Sequence, residues 1–80
     1  MPDASSFRIP EDRRREVADV RQAADALDVP AQLLYRLCMA ARAGYQYGGD
    51  GERATVDRKW NPVRVQYDGA GWDVGRVEAR

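Results

Sequence analysis

Eighty residues make one domain, and a domain of that size buries only about 60–65% of the surface its unfolded chain exposes, so its core is thin. A single cysteine, Cys38, and the absence of histidine exclude an intramolecular disulfide and a zinc site of the usual kind. Thirteen basic and thirteen acidic residues cancel to zero formal charge, which argues against a strongly basic nucleic-acid binder.

The chain should therefore gain stability by self-association, and a homodimer is the expected state. No apolar run approaches the roughly 20 residues that span a bilayer, so no membrane association is expected. Met1–Pro10 lacks the apolar stretch of a secretory signal. The cytoplasm follows by elimination.

In chain order, residues 1–5 read as a mobile terminus. Ser6-Phe7-Arg8-Ile9 alternates polar and apolar like a short strand. Pro10-Glu11-Asp12 reads as a helix start, because proline is tolerated there and acids complement the positive helix end. A first helix is predicted over 11–27, with Val17, Val20, Ala24 and Leu27 as its apolar stripe. Arg14, Arg15, Asp19, Arg21 and Asp25 occupy its opposite, solvated face. Asp28-Val29-Pro30 is a turn, with Asp28 placed to cap the next helix. A second helix is predicted over 30–43, stopped by Gly44. Its apolar side is Leu33, Leu34, Leu37, Cys38 and Ala41, with Gln32, Tyr35, Arg36 and Met39 toward the other side. Cys38, with no neighbouring base, reads as a small core residue.

From Tyr45 the period shortens from 3.6 to 2. Tyr45-Gln46-Tyr47 reads as a strand and Gly48-Gly49-Asp50-Gly51 as a turn. Residues 53–60 alternate Ala54, Val56 and Trp60 against polar neighbours until Asn61-Pro62 interrupts. Val63, Val65 and Tyr67 form the next apolar set. Asp68-Gly69-Ala70-Gly71 reads as a four-residue hairpin loop that sets Trp72 opposite Tyr67, with Val74 following. Val77 keeps phase with Val74 only through a bulge at Gly75. The expected fold is α+β: a helical half over 6–44 packed on a three-stranded antiparallel meander drawn from 45–80. The predicted core is Val17, Val20, Ala24, Leu27, Leu33, Leu34, Leu37, Cys38, Val56, Val63, Val65, Trp72 and Val74.

Charge is unevenly distributed. Residues 1–28 hold seven acids and five arginines, whereas 29–48 hold Arg36 and Arg42 and no acid. Twelve of the thirteen bases are arginine, whose planar fork suits phosphates and base edges; a GC-rich coding sequence would give the same bias. The side chains that catalysis needs are scarce. No histidine supplies a base, and Gly48–Glu52 lacks the lysine of a phosphate-binding loop and the ligand count of a calcium loop. A non-enzymatic protein without cofactor or metal is expected.

The segment Gln22-Ala-Ala-Asp-Ala-Leu27 followed by Leu34-Tyr-Arg-Leu37 resembles the helix-turn-helix of excisionase-type and Cro-type regulators of phages and plasmids. Small Ala24 lets the helices approach, and Leu27, Val29, Leu34 and Leu37 fill the wedge between them. Where that family carries a glycine of positive φ, this chain has Asp28, which tolerates left-handed geometry better than most residues. The resemblance implies DNA binding, with Gln32, Tyr35 and Arg36 facing the major groove and Arg42, Arg58 and Lys59 on phosphates. The alternative is an ordinary helical hairpin packed on a sheet. Ser6-Phe-Arg-Ile-Pro-Glu-Asp12 before two helices is also similar to a ribbon-helix-helix repressor, in which the strand would pair across a dimer and Ser6 and Arg8 would read bases. Pro62-Val-Arg-Val-Gln-Tyr-Asp-Gly-Ala-Gly-Trp72 looks like the hairpin of WYL-type regulatory domains.

The leading expectation is thus a small DNA-binding transcriptional regulator, encoded by a phage or mobile element, that binds double-stranded DNA. The rival is a protein-interaction module, a phage-type inhibitor or adaptor, that uses the β-sheet face and its aromatics to hold a protein partner.

Overall fold

A computed structural model of the chain describes residues 6–55 and 63–76. The elements are β1 (Ser6–Pro10), α1 (Glu16–Leu27), α2 (Ala31–Gln46), β2 (Glu52–Thr55), β3 (Val63–Tyr67) and β4 (Gly71–Arg76). The strands form one antiparallel sheet in the order β1-β4-β3-β2. The α+β class is as expected, but the sheet has four strands rather than three. The N-terminal strand crosses back to join the C-terminal meander beside β4.

Cross-strand partners share a face of a sheet, so the register sorts the side chains. Ile9, Trp72 and Tyr67 form one row, and Phe7, Val74 and Val65 the next. Both rows turn toward the helices and are buried, with Phe7 half-buried. α2 packs over β2 and β3, and α1 over β1 and β4. Trp72 is fully buried and its indole Nε1 donates to the Cys38 carbonyl at 2.7 Å, which ties the sheet to the middle of α2. Arg76 donates through Nη2 to the Leu27 carbonyl at 2.7 Å and so holds the last turn of α1.

Several boundaries depart from the sequence reading, each for a physical reason. α1 begins at Glu16, not at residue 11. The Glu11 N–H donates to the Ala70 carbonyl and prolongs the strand, while Asp12 closes a separate turn by accepting from the backbone of Arg14, Arg15 and Glu16. α2 runs through Gly44 to Gln46, so Tyr45-Gln46-Tyr47 ends a helix and forms no strand. The glycine that stops it is Gly48, at φ 80°, with Gly48 and Gly49 N–H groups donating to the Tyr45 and Gly44 carbonyls. Gly44 serves a different purpose: a Cβ there would sit 2.7 Å from the Asp50 carbonyl oxygen, so the residue lets the loop fold back against the helix.

Asp28 has φ 58° and ψ 48°, the left-handed geometry expected of the turn, and Val29 and Asp28 N–H groups close α1 on the Ala24 and Asp25 carbonyls. It terminates α1 and does not cap α2, whose first turn follows Pro30 without a side-chain cap. The β3–β4 hairpin matches the reading: Tyr67 pairs with Trp72 across residues 68–71. Gly75 pairs in register with Arg64 and Ser6, so there is no bulge at that position.

The buried core contains nine of the expected residues and also Ile9, Ala23, Val29, Ala41 and Tyr67; Leu37 packs against it partly buried, and Leu33, partly buried, lies outside it. Val17 is the clear exception, at 51% exposed. The buried stripe of α1 is Glu16, Val20, Ala23, Ala24 and Leu27, rotated so that Glu16 takes the inner position. The Glu16 Oε1 has no hydrogen-bond partner. Residues 1–5, Val56, Arg58, Lys59, Trp60, Asn61-Pro62 and Val77 lie outside the described residues. Among the described residues no helix is long and apolar enough to cross a membrane.

Candidate nucleic-acid interface

One side of α2 is committed to the core through Leu34, Cys38 and Ala41. Spacing of three and four then places Gln32, Tyr35 and Arg36 together on the opposite side of its first half. All three are exposed. The left-handed turn at Asp28 sets α1 alongside, and the two helices enclose a groove of about 430 Å³ lined by Val17, Val20, Arg21, Ala31, Gln32 and Tyr35. Sequence reasoning placed Gln32, Tyr35 and Arg36 together, and the fold keeps them so. It missed Arg21, which had been assigned to the solvated face of α1.

The arginines divide into two sets. Arg8, Arg15, Arg42 and Arg64 each have a carboxylate within 4.0 Å. Arg13, Arg14, Arg21, Arg36, Arg53 and Arg76 have none among the described residues; Arg53 and Arg76 donate to the backbone carbonyls of Glu52 and Leu27, while Arg13 and Arg14, in the turn before α1, Arg21 on α1 and Arg36 on α2 are exposed. Arg42, expected on phosphates, belongs to the first set. Its Nη1 meets Glu11 Oε2 at 3.2 Å, its Nη2 reaches the Met39 sulfur at 3.4 Å, and its guanidinium lies 5.9 Å from the Trp72 ring. Glu11 also accepts from the Tyr67 hydroxyl. That bond, followed by burial, pushes the Tyr67 hydroxyl up to about 12. Arg42 thus braces the joint between β1, α2 and the sheet. Arg58 and Lys59 lie outside the described residues.

The open face of the sheet is a different surface. Ser6, Gly75, Arg64 and Ala54 form one row, and Arg8, Asp73, Gln66 and Glu52 the next. Arg8 lies 2.8 Å from Asp68 and 3.2 Å from Asp73, and Arg64 lies 2.9 Å from Glu52. The Arg8 guanidinium, with two turn amides, holds the Asp68 carboxyl down at about 2. The rival reading required aromatics on this face. Tyr67 and Trp72 instead point at the helices, with ring centroids 5.3 Å apart, and no aromatic occupies the open face among the described residues. Arg8, the base-reading residue of the ribbon-helix-helix resemblance, is engaged by two acids, and its strand is paired along one edge with β4 of its own chain.

Burial pushes the Cys38 thiol up to about 12, with the Glu16 charge adding to the effect, and places the residue in the core as expected. Comparison with protein-family models, curated proteins and solved structures finds no match to this chain.

Proposed function

We propose that this protein is a small DNA-binding transcriptional regulator that sets the first half of α2 against the major groove of duplex DNA. One observation carries the reading. A helix with no acid along its length presents Gln32, Tyr35 and Arg36 to solvent, and its other side is locked into the core. Glutamine and arginine forks suit adenine and guanine edges, respectively, and tyrosine adds a flat apolar surface. Arg13, Arg14 and Arg21, without carboxylate partners among the described residues, take the phosphate role in place of Arg42. The zero formal charge makes non-specific attraction weak, so affinity depends on this local cluster.

We extend the reading to a homodimer, in which a two-fold axis offers two α2 helices to successive turns of the duplex. The exposed Tyr45 and Tyr47, at the far end of α2, supply aromatic surface for the contact between chains.

The test is fluorescence anisotropy of labelled random-sequence duplex titrated with the protein at low and moderate salt, with sedimentation for the stoichiometry. Saturable binding that weakens with salt is expected, and Arg36→Ala and Arg21→Ala should each weaken it by about tenfold, roughly 1.4 kcal/mol. No binding by the wild-type protein at low salt refutes the proposal.

A further inference from the structure

The α1–α2 groove is apolar where a solvated helical hairpin would be polar. Val17 is 51% exposed and Tyr35 38%, and with Val20 and Ala31 they form its floor and walls. The groove's volume, about 430 Å³, falls within the roughly 300–1,000 Å³ range of sites that hold a ligand's apolar groups. Its polar rim is basic. Arg21 lines it directly, and Arg36 stands one turn beyond Gln32 on the same side of α2. Of the acids nearest in sequence, Asp19 lies 4.0 Å from Arg15, and among the described residues neither it nor Asp25 or Asp28 pairs with Arg21 or Arg36. Elsewhere Arg8, Arg15, Arg42 and Arg64 do have a carboxylate at hand, whereas among the described residues Arg21 and Arg36, like Arg13, Arg14, Arg53 and Arg76, have none, so their charge is left for a partner.

An apolar floor edged by Arg21, with Arg36 exposed one turn beyond Gln32 and neither paired with a carboxylate among the described residues, complements a helix that carries apolar residues on one side and carboxylates on the other. We propose that the groove is a docking site for an acidic amphipathic segment of a partner protein. The segment seats apolar side chains between Val17, Val20, Ala31 and Tyr35 and sets its carboxylates on Arg21 and Arg36. Such a partner shares Gln32 and Tyr35 with the duplex and therefore excludes it; this competition, though not the docking itself, rests on the DNA reading above.

The probe is a fluorescein-labelled synthetic helix of about fifteen residues, with leucines spaced to form one stripe and glutamates elsewhere. A twin carries lysine in place of every glutamate. Anisotropy with the full chain should give saturable binding of the acidic peptide and none of the lysine twin. Val17→Glu and Arg21→Glu should each cost about fivefold or more in affinity. Both substitutions are at exposed helical sites, and melting curves matching wild type establish that the variants are folded; Arg21→Ala serves in place of either that is not. Absence of binding by the acidic peptide, equal binding of the two peptides, or a smaller loss in the folded variants overturns the proposal. Labelled duplex is titrated separately. A protein that binds duplex but not the acidic peptide removes the docking site alone, and one that binds the peptide but not duplex removes the DNA reading alone.

Discussion

Trp72 is the side chain on which most of the structure converges, and its removal tests the architecture directly. It is fully buried and lies in one row with Ile9 and Tyr67, so it bridges β1, β4 and β3. Its Nε1 reaches Cys38 in α2, and Arg42 lies over its ring. Cutting a buried tryptophan to alanine costs about 3–5 kcal/mol. A domain of this length has about 4–12 kcal/mol in total, at roughly 0.05–0.15 kcal/mol per residue. Trp72→Ala should therefore remove between a quarter of the stability and all of it. Trp72→Phe separates the contributions. It keeps a ring against Tyr67 but loses the donor to Cys38, worth about 1 kcal/mol, and leaves a small void worth another 1 kcal/mol or so. The Cys38 carbonyl keeps its helical partner, so no orphan is created. With a urea slope of about 1 kcal/mol/M for a small domain, the phenylalanine variant should melt about 2 M earlier by far-UV circular dichroism. A Trp72→Ala midpoint equal to wild type, or a phenylalanine variant as unstable as the alanine one, would refute this account of the core.

Two further outcomes follow from local geometry. At Asp28, φ 58° is strained for any side chain, so Asp28→Gly should raise the thermal midpoint by the equivalent of about 0.5–1 kcal/mol, whereas Asp28→Val should lower it by more than 1 kcal/mol; the same response in both variants would show that the turn is not left-handed in solution. Asp68 has a folded-state pKa lowered from 3.8 to about 2, so the stability it contributes is present above pH 3.8 and lost as pH falls through about 2. Asp68→Asn keeps the turn bonds to Ala70 and Gly71 but not the ion pair with Arg8, so its stability deficit relative to wild type should shrink across that window; a constant deficit would assign the effect to the turn alone.

What was legible in the sequence tracks how local the determining interaction is. The β3–β4 register was readable because Asp68, Gly69 and Gly71 fix a loop whose hydrogen bonds close within four residues. The left-handed residue at 28 was readable through the helix-turn-helix resemblance, whose turn carries a residue of positive φ, a geometry that aspartate tolerates. Helix ends were less so. Pro10-Glu11-Asp12 carries a helix-start signal, but the Glu11 backbone is taken by Ala70 and its side chain by Tyr67 and Arg42, partners about thirty to sixty positions away. Gly44 has the character of a stop signal, yet it is required by the close approach of Asp50, a contact invisible until the chain folds back.

The same distinction governs the site. Periodicity grouped Gln32, Tyr35 and Arg36 because residues on one face of one helix keep their relation whatever packs behind them. Counting charge then treated Arg36 and Arg42 as equivalent. They are not, because six positions along α2 rotate Arg42 toward Glu11 and Trp72, where its guanidinium is consumed by a brace within the fold. Arg21 shows the converse. The i,i+4 spacing to Asp25 suggests a pair, but α1 turns its Val17–Arg21 edge toward α2, and Arg21 lines the groove with no carboxylate partner among the described residues. An arginine contributes to recognition through the charge left after its neighbours are satisfied. On that measure the recognition surface we propose is the seam between the two helices, with Arg21 lining it and Arg36 one turn beyond Gln32, rather than α2 alone.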